Sequence, residues 1–125
     1  MSKLIFEEES YAIIGAAMEV YYKLGSGFTE PVCQEALQIE FGLRKIPFEA
    51  RKRLRMEYKG YELNKEHVAD FLCYDSIIVE IKSLAQLTQR EWSQVVNYLK
   101  VTNMRLGLLI NFGSTGRLEH RRVIV

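Results

Sequence analysis

The spacing of apolar and polar positions divides the chain into two helical stretches, a block of strands, a third helix and two closing strands. From Glu7 to Leu24, Ile14, Ala17, Met18 and Tyr21 form a stripe at helical spacing, widened by Ile13, Val20 and Leu24. That pattern predicts an amphipathic helix with the stripe turned inward. Glu7, Glu8 and Glu9 suit the positive end of its dipole, and Gly25-Ser26-Gly27 stops it. A second helix is predicted next, with Thr29 as N-cap and Pro31 in the first turn, where a missing N–H costs little. Val32, Ala36, Ile39 and Leu43 are its predicted buried face; Gly42 weakens its end and Pro47 marks the exit.

From Phe48 to Tyr58 the period changes to two. Phe48, Ala50, Leu54, Met56 and Tyr58 fall on one face, interrupted only by Lys52, and Glu49, Arg51, Arg53, Arg55 and Glu57 fall on the other. This predicts a half-exposed strand. Lys59-Gly60 is a turn signal, after which the chain returns through His67 and Asp70 to a tight turn at Tyr74-Asp75-Ser76. The strand from Ile77 to Ser83 is almost wholly apolar, as strands buried on both faces are. Thr88-Gln89-Arg90-Glu91 is a capping box opening a helix to about Thr102, with Trp92, Val95, Val96 and Leu99 inward. Arg105 to Gly113 predicts a further buried strand, and Arg121 to Val125 a short last one. Helix, helix, three strands, helix, strand, strand is the order of an α/β fold: a mixed central sheet, flanked by helices, built from a meander and a crossover helix. With no repeat, linker or low-complexity tract, a single domain over residues 1–125 is expected, large enough to bury a core.

Composition narrows the class without naming a function. The chain is 48% hydrophobic and 26% charged, as ordinary globular proteins are. No apolar run reaches membrane-spanning length, and MSKLIFEEES lacks a signal-peptide pattern. Cys33 and Cys73 show no metal-type spacing and suit a reduced, cytoplasmic setting. His67 and His120 are too few and too scattered for a structural zinc site. The net charge of +1 hides an asymmetry: residues 1–40 carry seven acids against two bases. Residues 44–59 carry Arg44, Lys45, Arg51, Lys52, Arg53, Arg55 and Lys59 against Glu49 and Glu57. Such a band hints at a polyanionic partner, although a solvated strand face explains it as well.

The candidate chemistry lies in HVADFLCYDSIIVEIKS, His67 to Ser83. Glu80 and Lys82 interrupt the end of an apolar strand and, two apart, point the same way. Asp70 sits between Ala69 and Phe71 in the preceding strand, so a hairpin would bring it beside Glu80 with Lys82 just beyond. Two carboxylates and an amine at the end of buried strands are costly unless they bind something or pair with one another. On the third helix Gln94 and Tyr98 fall together, away from the apolar stripe. His67, three residues upstream of Asp70, is expected on the opposite side of its strand and stays outside the candidate site.

Asp70 followed by Glu80-Ile81-Lys82 resembles the D…ExK signature of the PD-(D/E)xK nuclease superfamily, and Gln94…Tyr98 resembles the QxxxY motif of its RecB-like branch. Gly27-Phe28-Thr29-Glu30 and the closing GLLINFG resemble the GxxExxY proteins assigned to that superfamily, with Cys33 where their tyrosine would fall. The resemblance covers about Tyr11 to Arg122 and implies a restriction-endonuclease-like fold and a metal-dependent nuclease. It implies Mg²⁺, or Mn²⁺, held by Asp70, Glu80, the backbone carbonyl of Ile81 and an approaching Glu30. Hard oxygen donors of this kind suit Mg²⁺, and an ion so held can activate water and polarise a phosphoryl oxygen. Lys82 would orient the water or meet the phosphate charge, and Gln94 and Tyr98 would bind the substrate backbone or brace the lysine. The expected partner is nucleic acid, DNA ahead of RNA, with no membrane; a homodimer would set two basic bands and two sites on one duplex. Two other readings keep the fold: a catalytically idle nucleic-acid-binding or protein-interaction module, and a subunit that acts only within a larger complex. A purely structural carboxylate–lysine cluster is the bland alternative for the acids.

Overall fold

The computed structural model of the chain describes residues 5–125; Met1 to Leu4, on which part of the N-terminal reading rests, lie outside the described residues. Helix α1 spans Glu7–Leu24 and α2 spans Glu30–Leu43. Strand β1 (Phe48–Leu54) is followed by a small hairpin, β2 (Glu57–Tyr58) and β3 (Tyr61–Glu62), and then by β4 (His67–Cys73) and β5 (Ile77–Lys82). Helix α3 (Gln89–Thr102), β6 (Leu106–Asn111) and β7 (Glu119–Ile124) complete the chain.

The five long strands form one sheet in the order β1-β4-β5-β6-β7, with β5 and β6 parallel and the other neighbours antiparallel. The parallel pair is joined through α3, as a parallel connection requires. Helices α1 and α2 pack with Phe71, Cys73, Ile77, Val79 and Ile81 on one face of the sheet. Helix α3 covers Ala69, Leu72, Ile78, Leu109 and Val123 on the other. The expected mixed sheet flanked by helices is therefore present, and β5 and β6 are buried on both faces as their apolar runs predict.

Three local expectations change. The strand predicted from Phe48 to Tyr58 is broken at Arg55-Met56, and its end joins β3 in a separate two-stranded sheet. Lys59 and Gly60, both at positive φ, make that hairpin's tight turn. In α1 the buried line is Ile13, Ala16, Ala17 and Val20, while Met18 is exposed. In α2 the predicted face is the wrong one: Ile39 is 59% and Leu43 73% exposed, and Cys33, Gln34, Leu37 and Phe41 are buried instead. Phe41 decides this. Its ring centroid lies 5.0 Å from that of Phe71 and 5.6 Å from that of Phe48, edge-on or tilted. Such an aromatic cluster buries more surface than the aliphatic stripe could. Seating Phe41 there turns Gln34, two turns earlier, toward β4. Thr29 does stand at the N-cap in extended backbone, but its side chain accepts no capping hydrogen bond.

Four of the seven bases in the band stand in ion pairs among the described residues. Lys52 pairs with Glu49 at 3.3 Å, Arg53 with Glu66 at 3.8 Å, Arg55 with Glu62 at 3.4 Å and Arg44 with Glu40 at 2.7 Å. Among the described residues no helix is long and apolar enough to cross a membrane.

Candidate functional site

The site begins where regular pairing stops. Strands β4 and β5 are joined by a turn in which Ser76 N–H donates to the Cys73 carbonyl at 3.1 Å, with Tyr74 and Asp75 at positive φ. Pairing runs from Cys73–Ile77 to Phe71–Val79 and ends there. One step further, where Asp70 and Glu80 would pair, the ladder is replaced by a side chain: Asp70 Oδ2 accepts the Ile81 N–H at 2.8 Å. The N–H and C=O of a residue in an extended strand leave its same side, so the Ile81 carbonyl also faces this gap.

On its other edge Asp70 stands opposite Arg51, and the β1–β4 ladder skips this pair. Arg51 has φ 56, a strained value for a non-glycine residue inside a strand. Alternation slips here in both strands. Ala69 and Leu72 pack together on the α3 side, which strict period two forbids, and Leu54 joins them while Phe48 and Ala50 pack on the other side. The Asp70 carbonyl accepts from Gln34 Nε2 of α2 at 3.0 Å.

The slip brings His67 into the site, correcting the expectation that it faces away. His67 Nε2 contacts Glu80 Oε1, and its ring lies flat on Tyr98, with centroids 3.5 Å apart and planes 10° from parallel. Glu80 is 6% exposed. Burial pushes the Asp70 carboxyl up to about 7; the Ile81 N–H opposes this, and the charge of Glu80, a hydrogen bond with it and the charge of Glu30 add to it. The two carboxyls occupy the register position next beyond Phe71–Val79, one on each strand. Glu30 is exposed at the start of α2, on the rim of a depression lined by Ser26 to Pro31 and Ser83. Burial first, then the Glu80 charge, raises the Tyr98 phenol.

Lys82 lies just past the acids on the same side of β5 and forms no ion pair among the described residues. Its charge is the least of the causes that lower the Glu91 carboxyl, which is held down chiefly by the Thr88 N–H. Glu91 closes a true capping box, accepting Thr88 N–H at 2.7 Å and Thr88 Oγ1 at 2.9 Å. Gln94 is half-buried, one turn before Tyr98 on α3, with no hydrogen bond among the described residues. The loop between Lys82 and α3 is fixed by Asn111, which is wholly buried: its Oδ1 accepts Leu84 N–H at 2.8 Å, and its Nδ2 donates to Leu84 O and Glu119 Oε1, both at 2.9 Å. Glu119 Oε1 accepts Leu87 N–H as well, at 2.8 Å.

The structure therefore gathers Asp70, Glu80, the Ile81 backbone and Tyr98 at one place, with Lys82 beside them and Glu30 within electrostatic reach. His67 and Gln34 adjoin Glu80 and Asp70, and Glu91 lies within reach of the Lys82 charge; in the sequence Glu91 is marked by its capping box and His67 only indirectly, by the break in β1 alternation at Lys52. Among the described residues no three His, Cys, Asp or Glu side chains already stand so as to hold an ion. The donor chemistry nonetheless fits one. Two acids on adjoining strand positions, Glu80 buried and Asp70 half-buried, repel one another, and a shared proton or a divalent cation relieves that repulsion. A larger cavity of about 980 Å³, between the end of α1 and the β6–β7 link, has none of these acids in its lining.

No curated protein matches the chain. Among solved structures, the crystal structure of SSO0001 is similar in fold, with a TM-score of 0.56 and 17% identity. The match covers 95% of this chain and 59% of that one, so the chain spans little more than half of its structural relative. Residues 7–123 match the family model of the PD-(D/E)XK nuclease superfamily. Nearly the whole described chain is thus accounted for by one family, and the protein belongs to the PD-(D/E)XK nuclease superfamily.

Proposed function

We propose that the protein is a divalent-metal-dependent nuclease that hydrolyses phosphodiester bonds, with DNA as the favoured substrate and Mg²⁺ or Mn²⁺ as the ion. The observation that carries this reading is the meeting of Asp70 and Glu80 where β4 and β5 part, with Lys82 next on the same face. Asp70, Glu80 and the Ile81 carbonyl would hold the ion, and Glu30 would approach from α2. When bound, the ion supplies positive charge that polarises a phosphoryl oxygen and eases deprotonation of water. The chain's own groups do the rest. Ile81 N–H fixes one oxygen of Asp70. Lys82, in no ion pair among the described residues, meets the charge that grows on the phosphate and orients the attacking water. Gln94 offers a free amide to the substrate backbone. The finer kinship with the GxxExxY proteins is part of the same proposal. It is supported by the roles of GLLINFG here, where Asn111 and Gly113 hold the loop that follows Lys82.

The test is cleavage of single- and double-stranded DNA and RNA with Mg²⁺ or Mn²⁺, against the Lys82→Ala variant. Metal-dependent cleavage that disappears with Lys82→Ala is the expected result. Absence of both cleavage and calorimetric metal binding would overturn the reading and leave the acids a structural cluster.

A further inference from the structure

Resting on that reading, we propose that His67 is the positioning residue of Glu80 and that Tyr98 acts on the site through His67 rather than through the substrate. Each carboxylate in the gap has one oxygen tied off. Asp70 Oδ2 is held by the Ile81 N–H at 2.8 Å, and Glu80 Oε1 is held by His67 Nε2. This leaves Asp70 Oδ1 and Glu80 Oε2 to share whatever lies between the two acids. A carboxylate on a strand end keeps two rotatable bonds beyond Cβ, so without its tether Glu80 would present either oxygen.

The tether is itself fixed. The His67 ring is stacked on Tyr98 with its plane 10° from parallel, and its side chain is 18% exposed. Stacking fixes the ring plane and hence the direction of the Nε2–H bond, as an outer-shell partner does for a metal ligand. The arrangement depends on the alternation slip at Arg51 and Asp70. With regular period two, His67 would lie on the α1–α2 side of the sheet, out of reach of α3. Strain spent on a left-handed Arg51 therefore has a local return in the orientation of one carboxylate.

The role is tested by calorimetric titration of Mn²⁺ and Mg²⁺ into wild type and variants, with thermal melting to show that each is folded. His67→Ala is expected to weaken metal binding about tenfold or more, the usual cost of losing a partner behind a ligand. His67→Gln keeps an N–H at the position of Nε2 and is expected to recover most of the loss. Tyr98→Phe keeps the stacked ring and should bind as wild type does, whereas Tyr98→Ala should lose affinity as His67→Ala does. The double alanine variant should be no weaker than either single one. Wild-type affinity in folded His67→Ala, or losses that multiply in the double variant, would overturn the inference while leaving the nuclease reading intact. Wild type that binds neither ion would overturn both, which a single titration distinguishes.

Discussion

Replacing Asp70 by Asn should stabilise the metal-free protein in mild alkali and leave it nearly unchanged in acid. The carboxyl is raised from 3.8 to about 7, first by burial and then by Glu80 and Glu30. A folded-state value above the unfolded one means that the native protein holds this proton more tightly. Its contribution to stability is complete below pH ~4 and is lost as pH rises through about 7. A rise of roughly three units at ~1.4 kcal/mol each sets a ceiling of ~4 kcal/mol. Partial exposure and relaxation of the gap should reduce this to ~1–2 kcal/mol. Asn keeps an oxygen for the Ile81 N–H and adds an amide donor toward Glu80, so the folded geometry survives. Urea denaturation in EDTA at pH ~4 and pH ~8 measures the effect: near-equal stability at pH ~4, an advantage of the variant that grows between them, and ~1–2 kcal/mol at pH ~8. Excess Mn²⁺ at pH 8 should then stabilise wild type and not the variant, because only a native site draws on the ion. The same offset at both pH values, or a less stable variant at pH 8 without metal, would refute the reasoning.

Three further tests probe the frame that holds the site. Leu37→Ala in α2 should cost ~2–5 kcal/mol by leaving a cavity, whereas Leu43→Ala should change stability by less than ~0.5 kcal/mol; the opposite order would reverse the assigned buried face. Gly113→Ala should cost ~1–3 kcal/mol, since its new methyl would fall against the Leu84 backbone and within 2.7 Å of the Ser83 carbonyl carbon. Hydrogen exchange should show the Leu84 and Leu87 amides opening faster, and unchanged protection there would count against the clamp. Thr88→Ala should lose ~1 kcal/mol with the cap of α3, and Thr88→Ser should restore most of it; an unchanged melting temperature for Thr88→Ala would show that the cap contributes nothing.

What could be read from the sequence was whatever is local or strictly periodic. Helix α3 is marked by a capping box and a narrow stripe, and its start, end and inward residues follow directly. Strands β5 and β6 are too apolar to be anything but central. Asp70, Glu80 and Lys82 stand out because charge is rare on such strands. Helix α2 was ambiguous because it carries two apolar lines, and the choice between them is made by rings from β1 and β4, distant in sequence. His67 was invisible for a deeper reason. Alternation assigns sides only while the strand stays regular, and the left-handed residue that breaks it lies in a neighbouring strand. The one trace was Lys52, the charged residue interrupting the apolar face of β1.

The turn between β4 and β5 also acts as a ruler. Asp70 and Glu80 each lie three residues from the Cys73–Ile77 pair that closes it, so their separation along the chain follows from the hairpin and not from the acids themselves. Lengthening both arms by one residue would carry the acids outward together but exchange the sides of the sheet they face, and adding two to each arm would restore them. Inserting a single residue would put one acid out of phase with the other. Among chains built on this hairpin with the same turn, the interval between the two acids should therefore change in steps of four, and an odd interval would announce a different turn.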